Sequence, residues 1–198
     1  LHTKTHKDWN EFINNQSFKQ LQTIEDSVLS SDFTPETDRV LHFLTLPLKS
    51  AKVIILGQDP YPQDGVATGR AFEVGTLKKW DDPFRNVSLK NIIRSLYFVY
   101  HNKIKSYKEI VAQDSLIKKI PSPQQLFKDW EKQGVILLNT AFTCEKGKAG
   151  SHAQIWNDFT QALLIFISES NEDLIWFLWG NNAIKTTENI ELKNKIVN

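Results

Sequence analysis

The sequence predicts an α/β fold: a single domain over residues 1–198 with a central, mainly parallel four-stranded sheet flanked by helices on both faces. Three short apolar runs support this prediction, at residues 51–56, 134–139 and 174–179. Each run is too short and too uniformly apolar for a surface helix, and each suits a strand that is covered on both faces. Helical patterns lie before and between the runs, and this alternation is typical of a parallel sheet. The closing "LKNKIVN" has the composition of a further strand.

Three of the predicted helices have polar residues placed to cap their first turns. Ser88 is the expected N-cap of a helix over 88–103, and Ser122 that of a helix that starts at Pro123. Ser151 is the expected N-cap of a helix that ends near residue 170. Gln125 and Gln154 are expected to complete capping boxes with the second and third serines. The N-terminal third is predicted to hold two more helices, one around Trp9 to Leu29 and one from Thr34-Pro35 to just before Pro47. Residues 77–87 and 104–121 are expected to be irregular surface loops.

Composition excludes several classes of protein and leaves others open. The formal net charge is +1, which neither indicates nor excludes nucleic acid as a partner, since a local basic face remains compatible with a neutral total. The single Cys144 cannot form an internal disulfide and favours an intracellular, cytoplasmic protein. The five histidines lack metal-ligand spacing, so neither a metal nor a cofactor is expected. No apolar run approaches the roughly 18 residues of a membrane span.

Polar residues follow all three apolar runs. They are Gly57-Gln58, Asn139 and Gly180-Asn181. Because ligands of open parallel sheets bind outside the carboxyl ends of the strands, these three loops are expected to converge on one site. The first loop continues as Asp59-Pro60-Tyr61. An Asp-Pro pair by itself can be a simple turn signal, and Gly57 can simply end a strand.

Several segments together resemble the family 1 uracil-DNA glycosylases, in family order and with similar spacing from about residue 35 to the end. The matching segments are "GQDPYP" (57–62), "DGVATGRAFEV" (64–74), "SLKNI" (88–92), "ILLNTAFT…SH" (136–152) and "LIWFLWGNN" (174–182). The resemblance implies an enzyme that flips uracil out of DNA, because a base inside a duplex is inaccessible, and hydrolyses its glycosidic bond.

The resemblance also implies roles for individual residues. Asp59 is the expected catalytic carboxylate, which stabilises an oxocarbenium-like sugar and orients the attacking water. Asn139 is expected to read the uracil edge with its amide, and Gln58 to contact a base carbonyl. Phe72 is expected to stack on the base, and Tyr61 to exclude the methyl group of thymine. The residues alone leave open that Asn139 merely ends a strand and that Phe72 is only a core aromatic.

Contacts to the DNA backbone are expected at five further residues. They are Ser88, Ser151, His152, Gly180 and Asn181. The two serines precede predicted helices, where exposed N–H groups favour a phosphate, although capping alone would also explain them. Lys146 and Lys148 are candidates for a small positive patch, and the alternative is that both are simply solvated.

The chain departs from the family pattern in three places. Pro62 stands where the common motif has His, as in the poxviral branch of the family, and Asn181 replaces the Ser of a Gly-Ser loop. The family's last motif, a His-Pro-Ser-Pro loop whose Leu wedges into the duplex, is expected just beyond Asn198, so a truncated protein is favoured. Pro62 and the missing last motif also favour an alternative, a non-catalytic DNA-binding or processivity module on the same fold, which the intact set of Asp59, Asn139, Phe72 and Tyr61 disfavours.

The expected partners follow from the resemblance. One is DNA that contains uracil, either single- or double-stranded, and the other is a DNA-mimic inhibitor protein. No membrane is expected to take part, and the chain is expected to act as a monomer in base excision repair. A nucleotide-binding α/β protein of another class is disfavoured, because the sequence has neither a P-loop nor a GxGxxG motif.

Overall fold

A computed structural model describes residues 4–113 and 120–197. Within these residues the α-helices are α1 (Asn15–Val28), α2 (Val87–His101), α3 (Tyr107–Gln113), α4 (Pro123–Lys132), α5 (Ala153–Ser170) and α6 (Asn181–Thr187). The strands are β1 (Phe33–Thr34), β2 (Val53–Gly57), β3 (Val135–Asn139), β4 (Cys144–Glu145), β5 (Ile175–Phe177) and β6 (Lys195–Val197). Short 3₁₀ helices lie at Lys7–Trp9, Thr37–Arg39 and His42–Thr45.

The central sheet has four strands in the order β3-β2-β5-β6, and all three pairings are parallel. The three predicted strands are therefore confirmed, and the strand predicted from "LKNKIVN" is β6 at one edge. A second, two-stranded sheet pairs β1 with β4 in antiparallel orientation. This small sheet was not predicted, because its strands are only two residues long and leave no periodic pattern.

Burial alternates along β2 between two hydrophobic cores. Ile54 and Leu56 belong to one core, which also contains the apolar faces of α1 and α5. Ile55 belongs to the other core, with α2, α3 and α4. Successive side chains of a strand point to opposite faces, so the two cores lie on opposite sides of the sheet. Helices on both faces are the arrangement that the sequence predicted.

The predicted helix starts are only partly correct. Pro123 does open α4 after Ser122, but Gln125 donates to Asp129 Oδ1 at 2.7 Å and forms no capping box. Helix α2 begins at Val87, so Ser88 lies inside its first turn and is not the cap. The cap of α5 is His152 instead of Ser151, and its side chain makes no capping hydrogen bond, nor does a capping box form at Gln154.

The N-terminal third also differs from the prediction. Helix α1 starts at Asn15, where Asn14 Oδ1 accepts from the backbone N–H groups of Gln16 and Ser17 and the Ser17 hydroxyl accepts from Asn14 N–H. The helix predicted between Pro35 and Pro47 is replaced by the two 3₁₀ helices over 37–45. Residues 104–121 were expected to be irregular, yet α3 lies within them, and residues 114–119 fall outside the described structure.

No helix in the described ranges is long and apolar enough to cross a membrane.

Candidate active site

The ends of β2 and β3 bring Gly57 and Asn139 side by side, paired in register. Asn139 exposes only 5% of its surface, so its side-chain amide is largely enclosed at the end of β3. A Cβ atom on Gly57 would lie 2.6 Å from Asn139 Oδ1, 2.8 Å from Ala71 Cβ and 3.5 Å from Phe72 Cζ. The absence of a side chain at Gly57 thus lets the amide and the aromatic ring approach the same point.

Asp59 lies in the loop that follows β2 and is held by a residue 91 positions further along the chain. The backbone N–H of Gly150 donates to Asp59 Oδ2 at 2.5 Å. Burial raises the pKa of the half-buried Asp59 carboxyl, and the hydrogen bond from Gly150 offsets part of that rise. Pro60 is buried, and its carbonyl accepts from Cys144 Sγ at 3.3 Å. These contacts hold the carboxylate in place before any ligand binds.

Tyr61 and Phe72 form an aromatic wall of the site. The Tyr61 hydroxyl lies 3.5 Å from the Phe72 carbonyl oxygen, and its second partner is the Asn86 side chain. Burial raises the pKa of Tyr61 to about 12, so its hydroxyl is neutral at physiological pH. Phe72 has a backbone φ of +67°, a conformation that is rare for a bulky side chain.

An ion-pair cluster formed by residues on both sides of Phe72 in the chain supports this unusual backbone conformation. Arg70 donates through Nε and Nη2 to both carboxylate oxygens of Glu131, at 2.6 and 2.7 Å, and through Nη1 to Glu73 at 3.0 Å. His42 completes the cluster with a contact of 2.7 Å to Glu131 Oε1. A bidentate pair of this kind fixes orientation as well as position, so the cluster anchors the loop that presents Phe72.

The loop after β5 reaches the same edge. The Trp179 ring centroid lies 6.3 Å from that of Phe72. Asn182 Nδ2 lies 3.5 Å from the Thr140 hydroxyl, which itself donates to the Gln58 carbonyl at 2.8 Å. The three loops therefore meet at the carboxyl edge of the sheet. This edge presents a held carboxylate, a largely enclosed amide, a phenol and an aromatic face.

Comparison with known proteins adds a family to this geometry. Residues 45–197 match the Uracil DNA glycosylase superfamily. The chain belongs to that superfamily. The match covers most of the sequence and includes every residue of the site just described except His42, so the predicted enzyme class is confirmed at the level of the family.

Individual relatives agree with this assignment. The uracil-DNA glycosylase of Fusobacterium nucleatum is 34% identical over 188 residues, which cover 91% of this chain and 74% of the relative. That of Aliivibrio fischeri is 34% identical over 183 residues, which cover 92% and 72%. In each case the chain spans about three quarters of the relative's length.

Solved structures confirm the fold of this glycosylase-family chain. The wild-type UNG structure from Nitratifractor salsuginis matches with a TM-score of 0.74 and 26% identity, over 98% of this chain and 82% of that one. The mimivirus uracil-DNA glycosylase matches with a TM-score of 0.72 and 25% identity, over 96% and 66%. A variant of the mimivirus UNG has also been solved in complex with UGI.

Two residues that were predicted to contact the DNA backbone, Ser151 and His152, form hydrogen bonds within the glycosylase instead. The Ser151 hydroxyl accepts from Glu145 N–H at 2.7 Å. His152 is buried, with Nδ1 at 2.9 Å from the Thr143 hydroxyl and Nε2 at 3.4 Å from the Ser31 hydroxyl. Burial lowers the pKa of His152, so the ring is a neutral internal group. This arrangement does not support the predicted phosphate contact at His152.

The predicted positive patch is neutralised by neighbouring carboxylates. Lys146 Nζ lies 3.1 Å from Asp32 Oδ1 and 2.8 Å from Asp64 Oδ1, and Lys148 Nζ lies 3.5 Å from Glu145 Oε2. These ion pairs do not support a free cationic patch at the two lysines. Ser88, Gly180 and Asn181 are exposed and available for contacts.

Sequence reasoning missed Gly150, Arg70 and Asn86, whose contacts support Asp59, Phe72 and Tyr61. Their partners are between 3 and 91 positions away in the chain, and no local pattern indicates these pairings. Within the described residues no group of three or more His, Cys, Asp or Glu side chains could hold a metal ion.

Proposed function

We propose that this chain hydrolyses the bond between uracil and deoxyribose in DNA, leaving an abasic site, with Asp59 as the catalytic carboxylate and Asn139 as the reader of the base. The observation that carries the proposal is that the Asn139 amide and the Asp59 carboxylate, held by Gly150, both lie at the carboxyl edge of the sheet. Ligands of open parallel sheets bind at this edge, so the two groups are placed to act on one ligand.

Asn139 suits uracil because of the order of its donor and acceptor. The amide oxygen accepts from the ring N3–H, and the amide N–H group donates to the adjacent carbonyl oxygen. Cytosine presents the opposite pattern, an unprotonated N3 beside an amino group. Binding cytosine would leave buried polar groups unpaired, and such mismatches discriminate by roughly 10⁴–10⁵.

The aromatic residues complete the base pocket. Phe72 offers its ring as a stacking platform, a contact worth about 1–3 kcal/mol per base. Tyr61 stands against the carbon that carries the methyl group in thymine, and a tightly packed wall cannot accept a methyl group without strain. Gln58, which is exposed beside them, contacts a carbonyl of the base.

Asp59 acts on the sugar. The C1′–N1 bond breaks and its electron pair leaves with uracil, so positive charge develops on the deoxyribose ring. A carboxylate held nearby stabilises this charge without having to reorganise. The same group orients a water molecule, whose oxygen bonds to C1′ while the proton that it loses balances the charge on the departing uracil. Pro60 limits the motion of the loop during this step.

The surroundings of the site suggest how DNA lies on the protein. Ser88, Gly180 and Asn181 are the exposed residues we assign to the phosphate backbone. We assign a DNA-mimic inhibitor to the same edge; a variant of the mimivirus UNG has been solved in complex with UGI. We further propose a cytoplasmic monomer that needs no metal or cofactor.

The test is release of uracil from single- and double-stranded oligonucleotides. Asp59→Asn is expected to lower the rate by about 10²–10⁴-fold, the usual contribution of a positioned acid or base. Asp64→Asn is the matched control, because Asp64 is an exposed carboxylate in the same loop region that pairs with Lys146. A chain that binds DNA and leaves uracil in place would overturn the proposal in favour of a non-catalytic module.

A further inference from the structure

The outward face of α2 is unusually apolar. Leu89, Ile92, Ile93 and Tyr97 point into the core, and a surface helix normally presents charged residues on the opposite side. Here Phe98 is 46% exposed and Val99 is 77% exposed, and Ile104 in the following turn is 82% exposed. We call Asn91, Arg94, Phe98, Val99, Lys103 and Ile104 the α2 outer surface.

The charge of this region is strongly one-sided. Residues 83–108 contain six cationic side chains and no acidic one: Arg85, Lys90, Arg94, Lys103, Lys105 and Lys108. The rest of the chain is left with 18 cationic and 23 acidic residues, although the whole protein is nearly neutral. The first carboxylate after this segment, Glu109, accepts from the Ser106 hydroxyl and backbone N–H. The segment that carries the exposed apolar residues therefore has an excess of positive charge.

Arg94 is held in place by neutral groups, whereas Lys105 also interacts electrostatically with Glu109. Arg94 donates through Nη1 to Asn91 Oδ1 at 3.0 Å and through Nε to the Lys105 carbonyl at 3.2 Å. Lys105 Nζ lies 5.4 Å from the centre of the Tyr97 ring. Asn102, with φ of +49°, reverses the chain at the end of α2. The turn therefore folds back toward Arg94, so its charges lie beside the helix.

The spacing of the outward residues matches a helical partner. Val87, Asn91, Arg94 and Phe98 are separated by four, three and four positions, which places them in one row along α2. Such a row, with Val99 beside it, forms a ridge that packs into the groove of a second helix. The row spans the full length of α2.

The exposed apolar end of α2, at Phe98 and Val99, is distant from the catalytic edge. Asn86, directly before α2, hydrogen-bonds to Tyr61. The 15 residues of α2 span about 21 Å at 1.5 Å per residue, so the end that carries Phe98 lies roughly 20 Å from that contact. Exposed aliphatic side chains at such a distance serve neither the base pocket nor a phosphate backbone.

We propose that the α2 outer surface binds an acidic amphipathic helix of a partner protein. Phe98, Val99 and Ile104 take the hydrophobic face of that helix, and Arg94 and Lys103 face its carboxylates. Docking of an amphipathic helix onto an exposed apolar surface is a common mode of peptide recognition. Pairing of α2 with α2 of a second copy is disfavoured, because it would bring like charges together.

The probe is a synthetic peptide of about 18 residues, long enough to populate a helix, with Leu at one helical face and Glu elsewhere. Its binding to the 198-residue chain is measured by fluorescence anisotropy. A peptide of the same composition in scrambled order and a peptide with Lys in place of Glu are the comparison probes. The amphipathic acidic peptide is expected to bind, and both comparison peptides to bind at least about fivefold more weakly.

Variants then locate the site. Arg94→Glu and Phe98→Ser are each expected to weaken the peptide at least about fivefold. Lys19→Glu and Ile165→Ser, which change an exposed cation on α1 and an exposed apolar residue on α5, are the matched controls and are expected to leave binding unchanged. Uracil release is expected to stay within about twofold in all four variants, since none contacts the site.

Three results would overturn the inference. The first is equal binding of the acidic and scrambled peptides, and the second is equal weakening by the α1 and α5 controls. The third is displacement of the peptide by uracil-free duplex DNA together with a loss of DNA affinity in Arg94→Glu, which would make this surface a nucleic-acid track instead of a protein-binding one.

Discussion

Replacing Gly57 with Ala tests whether the close approach of Asn139 and Phe72 at the ends of β2 and β3 matters for function. The new Cβ would lie 2.6 Å from Asn139 Oδ1 and 2.8 Å from Ala71 Cβ, whereas ordinary contact begins at 3.4 Å. The amide must therefore move by about 0.8 Å. Because a misplacement of about 1 Å near the reacting groups can cost about 10²-fold in rate, we expect kcat/KM for uracil release to fall by about that factor.

The same substitution is expected to cost about 1–3 kcal/mol of folding stability, the usual penalty of overpacking. Stability and activity are separated by a double-mutant cycle with Asn139→Ala. Once the amide is absent, Gly57→Ala should lower kcat/KM little further, although the contact with Ala71 still lowers the free energy of unfolding. Thermal denaturation checks that each variant is folded at the assay temperature.

Gly75→Ala is the control for overpacking as such. Its Cβ would lie 2.8 Å from Thr68 Cγ2, a clash of similar size that does not involve Asn139. We expect a loss of stability in this variant with a much smaller loss of kcat/KM. If folded Gly57→Ala retains kcat/KM within about twofold of the parent, the amide does not read the base from its present position and the reasoning fails.

Three further predictions concern the same site. Tyr61→Ala should open the wall that excludes the thymine methyl group. The ratio of uracil to thymine release, measured on matched oligonucleotides, should then fall by about 10–200-fold, and an unchanged ratio would contradict this role. Asn139→Asp should lower the preference for uracil over cytosine by about 10²-fold or more, because the amide N–H donor is lost, and competition between the two oligonucleotides checks it. Burial raises the pKa of Asp59, so its ionised form destabilises the folded state once the pH exceeds the pKa of this group in the unfolded chain. Asp59→Asn should therefore raise Tm at neutral pH, by about 2–4 °C for each kcal/mol gained in the free energy of unfolding. The gain should vanish toward acidic pH, and melting curves recorded across a pH series check this trend.

Much of the fold was predictable because each central strand coincides with a short, uniformly apolar run of the sequence. The runs at 51–56, 134–139 and 174–179 correspond to strands with shifts of two residues or fewer at the ends. The errors lie at helix starts and in the N-terminal third. At Ser151, for example, capping was predicted from a polar residue before an apolar run, but its hydroxyl accepts from Glu145 instead. A capping signal cannot reveal that a competing partner lies nearby in space.

The sequence by itself determined the α/β architecture, the family and the set of polar and aromatic residues at the carboxyl edge, because periodicity and motif order are local properties of the chain. Only the tertiary structure decided how those residues are used. It gave the Asp59 carboxylate a donor at Gly150, it set Asn139 opposite Gly57, and it turned His152 inward and paired Lys146 with Asp32 and Asp64. The physical reason is that each of these states depends on side chains that are distant in the sequence and meet only after the sheet has formed.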